Sequence, residues 1–174
     1  IPAGTTKQIP KSIFESSPAP TVEVFYSTDK MNWTSMGNTS TTPVTATVPA
    51  NSKLYLKATA DTWGGGSGTS AYGNVITCTG NHNIGGNIMS LLYGDLHTIH
   101  STLDTRYSRH FARLFYQDTT LVDLTDLIIP TNVTDYCYCY MFYKCTSLTT
   151  PPALPATTLA QGCYDDMFAS CTGI

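Results

Sequence analysis

Between residues 21 and 86, hydrophobic and polar positions alternate in short runs, the pattern of β-strands with one buried face. Val22-Glu23-Val24-Phe25-Tyr26 alternates and leads into a polar turn, and residues 32–36 supply a hairpin partner. Residues 44–48 and 54–58 form a second predicted hairpin. Short strands at this spacing predict a small Ig-like β-sandwich.

The segments beside these strands have other patterns. Residues 1–20 carry four prolines and no periodicity, which indicates a linker or docking arm that could also mediate self-association. The glycine-rich run 64–68 predicts an irregular loop. Residues 87–118 hold an apolar stretch and a run with helical spacing. We expect this part to join the two halves of the chain and to cap the first unit of the C-terminal half.

The C-terminal third carries an internal repeat. Met-Phe-Tyr-Lys-Cys-Thr at 141–146 returns 26 residues later as Met-Phe-Ala-Ser-Cys-Thr, and a degenerate copy begins at Leu114, 27 residues before Met141. Similarity at such a period is typical of a solenoid, in which each coil buries its apolar face against its neighbours. The predicted organisation is therefore an arm (1–20), a β-sandwich domain (21–86), a junction and cap (87–118) and repeats (119–174).

The repeat resembles the BspA-like leucine-rich repeats. Cys-Thr-Ser-Leu-Thr-Thr-x-Pro-Ala-Leu-Pro-Ala-Thr-Thr-Leu-Ala at 145–160 and Cys-Tyr-x-x-Met-Phe at 163–168 carry the similarity, and 86–95 resembles the connector that joins a β-domain to such repeats. The match is specific over about 84–174 and loose over 21–83. The resemblance implies a mainly β fold with short helices, ending in a right-handed leucine-rich-repeat β/α solenoid. It also implies a surface protein of gut bacteria or phage that acts in adhesion or recognition, with no catalytic motif.

Composition favours the same kind of protein. Only 12% of the residues are charged, against about 25% in typical globular domains, and Thr, Ser and Asn carry the polar surface. A net charge of −3 with nine Lys and Arg does not indicate the basic surface that nucleic-acid binding requires. Arg106, Arg109 and Arg113 predict a solvated helix face. No apolar run is long enough to span a membrane. We expect an extracellular location on the bacterial cell surface, or alternatively on a virion, and both chain ends look like those of a processed piece.

No constellation of residues indicates catalysis, a cofactor or a metal ion. Asp95, His97 and His100 form an Asp-x-His-x-x-His string, with Asp104 nearby, but a string without a fourth ligand or a Glu base is a weak zinc signal, and we predict a structural or solvent role for these histidines. The adjacent carboxylates of Asp165-Asp166 point to different sides, which argues against calcium. We therefore predict no catalytic, cofactor-binding or metal-binding residue, and a protein that is not an enzyme.

Tyrosines crowd the repeat, and tyrosine is common at recognition surfaces because it offers contact area and a hydroxyl at low entropy cost. The candidate partner-binding residues are Tyr136, Tyr138, Tyr140, Tyr143 and Tyr164. Part of this set must be core. We expect a recognition or adhesion module that binds a protein or glycan partner. The alternative is a structural decoration or fibre domain of a phage virion.

The repeat also predicts the state of four cysteines. Cys137 and Cys163, and likewise Cys145 and Cys171, occupy equivalent positions in successive copies. Parallel stacked units lie about 4.8 Å apart, whereas a disulfide prefers Cβ atoms about 3.8 Å apart. We therefore expect buried, reduced thiols rather than disulfides.

Overall fold

The computed structural model describes residues 5–9, 21–39, 44–49, 52–67 and 70–174. Within these ranges the α-helix α1 spans Ser90–Tyr93 and a 3-10 helix follows at Gly94–Thr98. The strands are β1 (Thr5–Ile9), β2 (Glu23–Ser27), β3 (Thr34–Asn38), β4 (Val44–Val48), β5 (Tyr55–Ala58), β6 (Gly64–Ser67), β7 (Ser70–Gly73), β8 (Thr77–Cys78), β9 (His82–Asn83), β10 (Gly86–Asn87), β11 (Leu121–Asp123) and β12 (Leu127–Ile128).

The predicted fold class is wrong. The described part of the chain is mainly strands with one short helix, and it forms neither an Ig-like β-sandwich nor a right-handed leucine-rich-repeat β/α solenoid. Its strands are divided among small sheets of two or three strands: β4-β1-β8, β3-β2-β5, β6-β7, and the parallel pairs β9-β11 and β10-β12. No helix follows β11 or β12 within the described residues, so the alternation of strand and helix that a β/α unit requires is missing.

The strand pairing differs in part from the predicted hairpins. The first hairpin is confirmed, since β2 pairs antiparallel with β3. The second is wrong, because β4 pairs with β1 and β5 pairs with the other side of β2. Residues 5–9 of the predicted arm form the central strand of β4-β1-β8, and the rest of 1–20 lies outside the described residues. The glycine-rich run predicted as an irregular loop contributes β6, which pairs with β7, while residue 68 lies outside the described part.

Three rows of consecutive turns correspond to the three copies of the repeat: row 1 (109–118), row 2 (136–145) and row 3 (162–171). Every fourth residue of a row has a left-handed backbone, with φ between 50° and 63°. A left-handed residue at this spacing breaks an α-helix after each turn, so the helix predicted from the arginine spacing does not form. The left-handed residues are Arg109, Arg113 and Gln117; Tyr136, Tyr140 and Lys144; and Gly162, Asp166 and Ser170.

Backbone hydrogen bonds join the rows. Alternate amides donate within a row to the carbonyl three residues earlier, as Leu114 N does to Phe111 O at 3.2 Å. The other amides of rows 1 and 2 donate to the next row, as Phe111 N does to Cys137 O at 2.8 Å and Tyr138 N to Cys163 O at 2.9 Å. Each residue therefore lies beside its counterpart 27 or 26 positions later in the sequence.

One hydrophobic core runs from the N-terminal strands through all three rows, and it includes Val24, Trp63, Leu92, Phe111, Phe142 and Cys171. Trp63 ties the two halves together, because its indole Nε1 donates to Leu91 O and its backbone amide donates to His110 O, both at 2.7 Å. Gly73 lies against row 1 so closely that a Cβ there would be 2.1 Å from Ala112 O. The N-terminal strands thus cover the first row directly.

The cysteines behave as predicted. All six are free and buried, and two of the repeated thiols donate to carbonyls of the preceding row, Cys145 Sγ to Phe115 O at 3.1 Å and Cys171 Sγ to Phe142 O at 2.9 Å. Burial raises the pKa of Cys137 to about 12 and also raises the pKa of Cys145. Buried thiols with raised pKa values are chemically inert, which fits a packing role.

Candidate functional site

The five candidate tyrosines occupy three kinds of environment. Tyr138 is fully buried between the rings of Phe111 and Tyr164, with ring centroids 6.0 and 5.6 Å away. Tyr164, in row 3, is half-buried and covers the outer side of Tyr138. Tyr136 is half-buried and lies against Gly162 of the next row, where a Cβ would come within 2.4 Å of the ring. These three are mainly packing residues.

Tyr140 and Tyr143 belong to a surface cluster that also includes Tyr116, and we call these three residues the tyrosine face. Tyr116 and Tyr143 occupy the same position in rows 1 and 2, so their rings stack at 5.1 Å with an angle of 9°. Tyr140 meets Tyr143 edge to face at 5.5 Å. All three are half-buried. The row geometry therefore holds the ring positions while leaving part of each side chain exposed.

Charged side chains frame the tyrosine face. Arg113 lies 4.7 Å from the centroid of Tyr116 and 5.2 Å from that of Tyr140, and Lys144 lies 5.3 Å from Tyr143. A hydrogen bond to the Asp166 carboxylate, together with burial, raises the pKa of Tyr140 to about 12. The cations over the ring faces and the carboxylate on the Tyr140 hydroxyl hold these side chains in place before a partner binds. Binding would therefore cost little further side-chain entropy.

In row 3 the tyrosine face ends. The counterpart of Tyr143 is Ala169 and that of Tyr140 is Asp166, since both lie 26 residues later. Phe115, Phe142 and Phe168, by contrast, continue through all three rows with centroids 5.5 Å apart. The phenylalanine column therefore builds the core, whereas the tyrosine column stops beside a small side chain and forms a step on the surface.

A second cluster lies inside the molecule, where β8 and β9 meet the end of row 1. His82 Nε2 is 3.2 Å from Asp118 Oδ2, and both side chains are 1% exposed. The Cys78 thiol joins them, and one ligand atom from each residue lies within 4.8 Å of the other two. Burial acts to lower the pKa of His82, but polar contacts with Asp118 and Cys78 and the charge of Asp118 outweigh it and raise the pKa to about 9.

Sequence reasoning does not find this buried cluster, because Cys78 is isolated from the other cysteines and His82 belongs to no motif. Asp118 lies 40 positions after Cys78, and no spacing rule joins them. A signal does exist, because Asp118 occupies the position that Cys145 and Cys171 hold in the later copies. A carboxylate that replaces a buried thiol in a repeat requires a polar partner.

The other candidate ligands do not come together as a metal site. His97 Nδ1 is 2.9 Å from Gly94 O, and the ring of His100 stacks on Tyr93 at 4.3 Å. Asp95 pairs with Lys57 at 2.6 Å and Asp104 with Arg106 at 2.6 Å. Each of these groups has its own local partner.

A cleft of about 350 Å³ is lined by residues of β5 and of the segment 83–97. Its lining includes Trp33 and Tyr55, and lysines lie over both rings: Lys57 is 4.2 Å from the centroid of Trp33 and Lys30 is 4.6 Å from that of Tyr55. Apolar side chains, among them Ile76, Ile88 and Leu91, also line the cleft. The cleft offers a concave aromatic surface on the N-terminal half.

No family model, curated protein or solved structure matches this chain. The resemblance of residues 84–174 to BspA-like repeats therefore stays a prediction. Within the described residues, no helix combines the length and apolar character that crossing a membrane requires.

Proposed function

We propose that this protein is a non-enzymatic recognition module that binds a protein or glycan partner through the tyrosine face. The observation that carries the proposal is the cluster of half-buried rings at Tyr116, Tyr140 and Tyr143, with Arg113 and Lys144 over their faces. Tyrosine edges and hydroxyls held by a rigid frame are the features that antibody-like binding surfaces use. The low charge of the chain and its Thr-rich surface support an extracellular location.

Two features of the cluster favour binding over simple packing. The tyrosine column ends at Ala169, so the side of Tyr143 toward row 3 faces a small side chain rather than a third ring. Its charged groups have both signs, since Arg113 and Lys144 lie over ring faces and Asp166 bonds the hydroxyl of Tyr140. A partner that presents apolar surface rimmed with hydrogen-bonding groups would complement this step.

The test is a binding screen followed by substitution. The protein is passed over a glycan array and a panel of cell-surface proteins, and each hit is measured again with Tyr143→Ala and Tyr140→Ala. We expect each substitution to weaken binding by about 10-fold or more, as at interface hot spots. Tyr26→Ala, a half-buried tyrosine of β2, is the matched control and should bind like the wild type.

The panel in which hits occur separates the two partner classes. Binding that survives both tyrosine substitutions would place the contact elsewhere, with the cleft beside Trp33 as the next surface to test. Turnover of any substrate that disappears with a single side chain would overturn the non-enzymatic proposal altogether.

A further inference from the structure

We propose that Cys78, His82 and Asp118 form a binding site for one divalent transition-metal ion of the Zn²⁺ class, which fastens the N-terminal strands to row 1. Thiolate, imidazole and carboxylate are the three side-chain ligands that Zn²⁺ uses in proteins. Here one donor atom of each lies within 4.8 Å of the others. The site is independent of the tyrosine face.

The distances fit a small ion with little rearrangement. In a tetrahedral zinc site with ligands at 2.0–2.3 Å, neighbouring donor atoms are about 3.3 to 3.7 Å apart. The separation of His82 Nε2 and Asp118 Oδ2 is 3.2 Å, so the nitrogen and oxygen already have nearly the required spacing. The Cys78 thiol is the third donor, within 4.8 Å of the other two.

The backbone brings the ligands together through a tight turn. Three residues separate Cys78 from His82, and Gly80, the middle one, makes the turn with a φ of 100°. The Cys78 amide approaches Asp118 Oδ2 at 3.3 Å, and the His82 amide donates to Thr120 O at 3.0 Å. Both β8 and β9 are thereby fixed against the end of row 1.

The surroundings of the ligands resemble the outer shell of a metal site. His82 Nδ1 lies 3.2 Å from Gly80 O, so a proton on Nδ1 would be donated to that carbonyl and Nε2 would be left for a metal. The hydroxyl of Thr120 lies 3.0 Å from Asp118 Oδ1 and holds the carboxylate in place. Outer partners of this kind orient the ligands of most metal-binding histidines and carboxylates.

The hydrogen bonding of His82 Nε2 is a further observation. Among the described residues, His82 Nε2 has no hydrogen-bond partner in acceptable geometry, although it is buried and within ion-pair distance of Asp118. A cation held between nitrogen, carboxylate and thiolate would satisfy all three. Its two positive charges would balance one thiolate and one carboxylate, so the buried site would be neutral.

Binding is balanced by proton release. The Cys78 thiol loses its proton to solvent as the sulfur–metal bond forms, and any proton on His82 Nε2 leaves with it. A water molecule would complete a four-coordinate site, because three side chains supply three ligands.

The experiment uses Co²⁺ as a spectroscopic stand-in for Zn²⁺. The full chain is treated with a chelator, dialysed and titrated with Co²⁺ alone, and thiolate-to-cobalt charge-transfer absorption is recorded. We expect one equivalent to bind, and Zn²⁺ to displace it. Cys78→Ala should abolish the charge-transfer band and weaken binding by more than about 100-fold, since loss of even an outer partner costs 10- to 100-fold.

Two further variants keep the test decisive. Cys163→Ala removes a buried thiol of row 3 that is remote from the site in the repeat, and it should leave the titration unchanged. Thr120→Val keeps all three ligands and should weaken binding by about 10-fold or more while the charge-transfer band remains. Circular dichroism checks that each variant is folded.

Two results would overturn the proposal, one from the wild-type protein and one from Cys78→Ala. If the chelator-treated, folded protein takes up no Co²⁺ or Zn²⁺ at micromolar concentrations, His82 and Asp118 form only a buried ion pair. If metal binds but Cys78→Ala binds it equally well with the same spectrum, the site lies elsewhere.

Discussion

Truncation of the central phenylalanine of the stacked column tests the row architecture most directly. Phe142 is fully buried, and its ring lies 5.5 Å from Phe115 on one side and 5.5 Å from Phe168 on the other, with interplanar angles of 8°. A buried Phe→Ala change costs about 3–5 kcal/mol. Phe142→Ala loses both ring contacts, each worth about 0.5–1.5 kcal/mol. We therefore expect the free energy of unfolding to fall by about 4–5 kcal/mol, measured by urea unfolding followed by circular dichroism.

Phe168→Ala is the matched control for this change. Phe168 occupies the same position in row 3, is half-buried, and has Phe142 as its stacking neighbour. Phe168→Ala therefore loses less buried area and only one ring contact, and we expect the free energy of unfolding to fall by about 2 kcal/mol. Equal losses of unfolding free energy in the two variants would mean that the rows do not stack as described.

Three other changes probe separate features. Burial lowers the pKa of His110 to about 4, although the negative charges of Asp104 and Asp61 act to raise it. The unfolded chain therefore binds this proton more readily than the folded chain. The free energy of unfolding should be fully present above about pH 6.5 and should fall by on the order of 3 kcal/mol as the pH drops to 4. His110→Gln should flatten this part of the pH profile in urea melts, and parallel profiles would contradict the assignment. Gly162→Ala should cost about 1–3 kcal/mol, because its φ is 56° and its Cβ would meet the ring of Tyr136 at 2.4 Å; a melting temperature equal to that of the wild type would contradict the close contact. Cys145→Ala should destabilise more than Cys145→Ser by up to about 1 kcal/mol, because a serine hydroxyl can still donate to Phe115 O, and the reverse order in chemical denaturation would argue against that hydrogen bond.

The repeat can be identified in the sequence, but its conformation cannot. The aligned positions are correct, since Phe115 and Phe142 do stack as counterparts. What the sequence hides is the left-handed backbone at every fourth position, because Arg, Gln, Tyr, Lys, Asp and Ser fill eight of the nine places and only Gly162 carries the usual signal. The same spacing of four therefore resembles that of a helix.

Long-range partners are also beyond the reach of sequence patterns. Sequence order favours a hairpin between the fourth and fifth strands, whereas β4 and β5 each pair with an earlier strand. Within the candidate surface, the density of tyrosines in the repeat points to Tyr140 and Tyr143, but the burial of Tyr138 depends on which residues of a turn point inward. The buried cluster at His82 and Asp118 depends on how β9 meets row 1.

The hydrogen bonds between rows run in one direction, from each row to the next along the chain. Rows 1 and 2 pass their alternate amides to the next row, but in row 3 the amides of Tyr164, Asp166, Phe168 and Ser170 find no carbonyl acceptor within the described residues. Amide hydrogen exchange should therefore be fast at these four positions and slow at Tyr138 and Phe142. In this 174-residue chain, opening would begin at row 3 and move toward row 1, so the last structure to be lost would be the half of the core anchored by Trp63.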